Sequence, residues 1–83
     1  MINFERRYTE DMGLLSVVVL SSDSGMVKEK LTVIEEIICF KSGKPHLMTI
    51  KWTKGFIRRF NYRIQKNEEI TEDEYQKLLM GSR

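Results

Sequence analysis

The chain has 83 residues, of which 41% are hydrophobic and 31% charged, with a formal net charge of +2. This composition belongs to a folded chain and excludes a disordered one, and the length supports one hydrophobic core, so residues 1–83 are expected to form a single domain. No run of about 18 apolar residues occurs, so no membrane span is expected.

The start, Met1 to Arg7, lacks the charged and then apolar pattern of a signal peptide. Cys39 is the only cysteine and His46 the only histidine. An intrachain disulfide is therefore impossible and a structural zinc site is excluded. These features predict a cytoplasmic protein without a metal or other cofactor.

Phe4 to Thr9 alternates weakly and predicts a short strand, followed by a turn over Thr9 to Gly13. Leu14 to Leu20 is rich in valine and short, which predicts a well-buried strand pairing with the first. Ser21 to Gly25 reads as a loop. Met26 to Phe40 supports two readings. On a helix, Val27, Leu31, Ile34 and Ile38 form one stripe, and Lys28, Glu29, Thr32, Glu35 and Glu36 gather opposite. Asp23 or Ser24 would cap that helix and Gly43 would follow it. On a strand, the β-branched content fits, but Glu35-Glu36 and Ile37-Ile38 break the alternation. The amphipathic stripe favours the helix.

Lys41 to Pro45 reads as a turn. In the next run Met48, Ile50 and Trp52 alternate with Thr49, Lys51 and Thr53, as a half-buried strand requires. A tight turn at Thr53 to Gly55 leads to Phe56 to Gln65, with Phe56, Phe60, Tyr62 and Ile64 on an apolar face and Ile57, Arg59, Asn61, Arg63 and Gln65 on the other. A helix competes there, because Phe56, Phe60 and Ile64 are four apart, but the short turn and the aromatics favour a strand. Thr71 to Met80 carries the clearest signature. Thr71 and Glu74 make a capping box, and Tyr75, Leu78 and Leu79 share one helix face. The fold class expected is α+β: an antiparallel sheet of about four strands with a C-terminal helix, in the order ββαββα. The alternative is five strands followed by one helix.

The charge is segregated. Lys41, Lys44, Lys51, Lys54, Arg58, Arg59, Arg63 and Lys66 occupy a window without any Asp or Glu, so all 12 acidic residues lie outside it. Glu68, Glu69, Glu72, Asp73 and Glu74 follow at once, and helix capping accounts for most of them. No phosphate-binding glycine loop occurs. Cys39 and His46 are the only conceivable nucleophile–base pair, and a lone cysteine in an apolar stretch is more often a buried small hydrophobe. Glu35 and Glu36 point in different directions on either element type and read as solvated surface. Binding is therefore expected rather than catalysis.

The expected binding element is a basic β-hairpin, residues 41–66, with Lys51, Lys54, Arg58, Arg59, Arg63 and Lys66 as nucleic-acid contacts. Lysine and arginine neutralise phosphates, while Arg, Asn61 and Gln65 could read base edges. The plain alternative is a solvated face whose charges discourage edge aggregation. A protein-binding adaptor or inhibitor could use the same face, and a homodimer through Leu14 to Leu20 or the last helix would suit so short a chain. With Met26 to Phe40 taken as a strand, basic antiparallel strands followed by a capped helix, over residues 33–79, resemble the single-stranded DNA-binding domains of positive cofactor four. That resemblance implies DNA binding, and no motif carries a particular residue across. A small regulatory protein of phage or mobile-element type fits the composition.

Overall fold

A computed structural model describes residues 3–55 and 57–81. The elements are α1 (Glu5–Glu10), β1 (Leu15–Val27), β2 (Lys30–Lys41), β3 (Lys44–Lys54), β4 (Phe60–Glu69) and α2 (Glu72–Gly81). The strands form one antiparallel sheet in sequential order, β1-β2-β3-β4. The fold is therefore α+β with four strands and a C-terminal helix, in the order αββββα.

Three segments differ in secondary structure from the sequence expectation. Phe4 to Thr9 is not a strand, because Phe4 and Tyr8 are four residues apart and a helical turn puts both on the core side. Met26 to Phe40 is not a helix. Val27 ends β1, Lys28 and Glu29 make a two-residue turn, and Lys30 begins β2. The expected loop at Ser21 to Gly25 is part of β1 and pairs with Thr32 to Glu36. The helical stripe failed because β2 buries side chains on both of its faces. Val33, Ile37 and Cys39 point one way and Thr32 and Ile38 the other, so neither period dominates.

The two sheet faces are covered unequally. On the α1 face, Phe4, Tyr8 and Leu14 pack on Val33, Ile37, Cys39, Met48, Ile50 and Trp52, all buried. Trp52 is the centre. Phe4 stacks on it at 4.0 Å and 3°, and Tyr8 meets it edge-on at 5.4 Å. Its Nε1 donates to the Tyr8 hydroxyl at 3.1 Å, and that hydroxyl donates to Glu35 Oε1 at 2.5 Å. The Arg7 guanidinium lies over Trp52 and Tyr62, 5.2 and 5.8 Å from their centroids, and Nη1 donates to the Phe60 carbonyl at 2.6 Å. α1 is thereby fixed towards β3 and β4.

On the opposite face α2 covers only the end near the β2–β3 turn. Tyr75 packs on Phe40 at 4.8 Å and donates to the Ser16 carbonyl at 2.8 Å. The Ile70 amide donates to the Pro45 carbonyl, bringing the chain across that end. Thr71 caps the helix as its sequence requires, accepting from the Glu74 amide at 3.1 Å. The strand from Leu14 is not well buried: β1 is an edge strand, and Leu15 and Val19 are exposed.

The β1–β2 turn is chemically mismatched. Lys28 and Glu29 both have positive φ, 49° and 65°, the pattern of a type I′ turn in which Asn-Gly is the favoured pair. The β2–β3 turn has the better solution, with Gly43 at its second position. Replacing Lys28→Asn together with Glu29→Gly is expected to raise the unfolding free energy by about 1 kcal/mol. Urea unfolding should show a higher midpoint at an unchanged m-value.

Candidate nucleic-acid interface

Beyond α2, the same face of the sheet is open. Register places Lys51 directly opposite Arg63, and Ile34 on the other side of Lys51. A second row carries Glu36, Thr49 and Lys66. Lys66 reaches this face through an irregularity in β4. Strict alternation from Arg63 would place Gln65 here, but the pairing jumps from Ile50–Ile64 to Thr49–Lys66. Gln65 is left out as the bulged residue, and the residues after it swap faces. The bulge therefore adds a cation to the face of Lys51 and Arg63.

The remaining expected contacts cluster at the β3–β4 connection. Lys54 ends β3 and is exposed. Arg58 and Arg59 lie in the loop between Lys54 and Phe60, also exposed, with Arg58 at a φ of 57°. The loop is closed by the Gly55 amide donating to the Arg59 carbonyl at 2.8 Å. Arg59 thus precedes the ladder and is not a third member of the Lys51–Arg63 row. Phe56, expected on the apolar face of this hairpin, lies outside the described residues.

Among the described residues, Lys51, Lys54, Arg58, Arg59 and Arg63 make no ion pair. Lys66 does, with Glu68 at 3.3 Å, and Lys44 lies 3.9 Å from Glu69. Both pairs are exposed and contribute little to stability. The positive charge is flanked on the same face by Glu36 and by Asp23, the β1 partner of Ile34. On this face β3 and β4 carry Lys51, Arg63 and Lys66 with Glu68, and β1 and β2 carry Asp23 and Glu36 with Lys30 beside the β1–β2 turn. Of the aromatics expected to face the core, Trp52 is buried and Phe60 packs on Phe4 at the edge of the core, while Tyr62 is 38% exposed on the α1 face. No basic-face aromatic is thereby provided by β4.

Two candidate chemistries read from the sequence resolve differently. Cys39 and His46 are direct register partners, yet the thiol contacts the Met48 sulfur at 3.7 Å and His46 Nδ1 bonds to Asn67 at 2.8 Å. Burial pushes the Cys39 thiol up to about 11, so it is not a thiolate near neutral pH. Glu35 is not solvated surface: it is buried on the α1 face, while Glu36 is half-buried on the other. The signal for it was in the alternation Val33, Glu35, Ile37, Cys39, which places one carboxylate in an otherwise apolar row.

Among the described residues no helix is long and apolar enough to cross a membrane. No protein-family model matches the chain, and no curated protein or solved structure shows significant similarity to it.

Two outcomes follow from this geometry. Like charges directly opposite across strands repel. Arg63→Glu should therefore stabilise the fold at low salt by about 0.5 kcal/mol, with the gain shrinking as salt is added. Paired urea titrations at low and high salt measure this. The second concerns pH. Cys39 has an ordinary value of 9.0 and is held at about 11 in the fold, chiefly by desolvation. Tyr8 is also raised, first by burial and then by its bond to Glu35. Both groups keep their protons longer when folded, so the stability they contribute is complete below their unfolded values and is lost as pH rises through the folded ones. The urea midpoint is expected to fall between about pH 9 and pH 11, less steeply in Cys39→Ala.

Proposed function

We propose that the protein is a small, non-catalytic nucleic-acid-binding domain of regulatory type, acting in the cytoplasm, whose contact surface is the open half of the α2 face. Lys51, Arg63 and Lys66 form its floor, and Lys54, Arg58 and Arg59 extend it over the β3–β4 loop. The observation that carries this reading is the Lys51–Arg63 pair. Two cations face each other across neighbouring strands without an acidic partner among the described residues, an arrangement that costs stability until an anion lies between them. A phosphate backbone supplies such anions in series, and release of its condensed counterions supplies the affinity. Backbone contact rather than base stacking dominates on this reading, since among the described residues the exposed aromatic, Tyr62, is on the other face.

A second reading is a protein partner of mixed charge, including a second copy of the chain. It is favoured by Asp23 and Glu36 on the same face, which a phosphate backbone would avoid and a protein surface could match.

Fluorescence anisotropy with labelled single-stranded and duplex DNA and RNA, at two or more salt concentrations, separates the readings. Saturable binding should weaken steeply with salt. Lys51→Ala/Arg63→Ala should reduce the slope of log K against log salt by roughly 0.7 per lost phosphate contact on a single strand, or about 0.9 on a duplex. Absence of binding at low salt and micromolar protein would reject the nucleic-acid reading and direct the search to a protein partner.

A further inference from the structure

The α1 face contains a cleft, on the side of the sheet opposite Lys51 and Arg63. Trp52 and Phe60 hold α1 over the β3 and β4 side of the sheet, so the helix leaves a cleft of about 440 Å³ between itself and the edge strand β1. Its walls are apolar, formed by Phe4, the Tyr8 ring, Val17 and Val19. Glu35 and its register partner Ser22 are the polar groups on the sheet side. Asn3 and Glu5 stand on the helix side, and among the described residues no lysine or arginine lines the cleft.

Glu35 is the unusual group. Its residue is only 6% exposed, and the Tyr8 hydroxyl is its one hydrogen-bond donor among the described residues. That donor is committed, because Trp52 Nε1 occupies the acceptor side of the same hydroxyl. No fully buried side-chain oxygen lacks a partner among the described residues, so the second Glu35 oxygen is one that reaches the cleft. One oxygen of this carboxylate is held by a neutral donor and the other faces an apolar-walled cleft, with no cationic partner among the described residues.

We propose that the cleft binds an organic cation of small-molecule size, a protonated amine on an apolar body, with its ammonium against Glu35 and its body along Phe4, Val17 and Val19. The volume lies in the range of small-ligand sites, and the lining has the usual form of apolar walls with a few placed polar groups. Among the described residues both charged groups of the lining, Glu5 and Glu35, are acidic, which selects the sign of the ligand. The ammonium would form a charge-assisted hydrogen bond with the oxygen that Tyr8 leaves free.

Hexylammonium is the probe, with hexanol and hexanoate as neutral and anionic controls of the same chain. Trp52, the only tryptophan, reports occupancy by fluorescence through its bond to Tyr8, and amide shifts of Val17, Val19 and Ser22 locate it. Hexylammonium is expected to bind saturably and about tenfold more tightly than hexanol or hexanoate. Glu35→Gln keeps an acceptor for Tyr8 and removes the charge, and should weaken hexylammonium about tenfold. Ser22→Lys leaves Glu35 and the core intact and places an ammonium beside the carboxylate from the facing strand. It should raise the thermal midpoint of the unliganded protein and weaken hexylammonium by a similar factor. Equal binding of hexanol and hexylammonium, or unchanged hexylammonium affinity in Ser22→Lys, overturns the proposal. Each holds even if Glu35→Gln fails to fold.

Discussion

A four-stranded sheet has two faces to bury, and this chain has helices of only six and ten residues to cover them. The hydrogen-bonded chain Trp52–Tyr8–Glu35 decides how the shorter helix is used. A helix of six residues has little stability of its own and persists through tertiary packing. Stacking of Phe4 on Trp52 supplies the apolar contact, and the Tyr8 hydroxyl supplies direction, since it must point at Glu35 while accepting from the indole. Arg7 adds a third constraint by bonding the Phe60 carbonyl of the far edge strand. Register in β2 and β3 is held in the same way. A slip of one residue would turn Trp52 and Glu35 to the open face and leave Tyr8 with no partner.

Fixing α1 over one side has consequences for the other. A cleft remains between the helix and β1, most of whose residues stay exposed. β1 and β4 are both edges, and each is treated differently. β4 carries Arg63, Lys66, Glu68 and Glu69, charges that discourage pairing with another sheet. β1 is nearly free of charge but is broken by two register irregularities, which bend it away from a flat template. The bulge in β4 has a different effect: it alters which side chains share a face, and brings Lys66 beside Arg63.

The parts of the fold legible in the sequence are those where one signal acts alone. The last helix has a cap, an acidic first turn and an apolar face at helical spacing, and all three agree. The alternation of Met48, Ile50 and Trp52 marks a strand because one of its faces packs on α1 and the other is half-open. The segment from Met26 to Phe40 was ambiguous for a physical reason. β2 is central, lies between two helices on opposite faces, and is apolar on both, so its residues satisfy a helical stripe as well as a strand. The turn within it was hidden because Lys28-Glu29 is not a turn-forming pair, and the strand pairing on either side imposes positive φ on both. The basic block was legible as composition. Its division into a row across two strands and a loop cluster was not, because that depends on where β4 begins and on the bulge at Gln65.

The cationic row and the acidic cleft stand on opposite faces of the sheet. On the open α2 face the strands nearest α1's anchors are basic, and the cleft on the α1 face is acidic. Such a separation cannot arise from net charge, which is small; it requires alternate residues of the same strands to be assigned to different sides. β2 shows this most clearly, with Glu35 committed to Tyr8 below the sheet and Glu36 paired with Thr49 above it. Adjacent carboxylates that look equivalent in the sequence are placed in unlike surroundings by the pleat alone. The same logic governs Lys51, which lies on the open face because its neighbour Trp52 must occupy the core. The burial of Trp52 therefore fixes both the helix that shapes the cleft and the face on which the cations stand. A substitution that loosened Trp52 would be felt at both surfaces, whereas Lys51, Arg63 and Ser22 can be changed with the core left as it is.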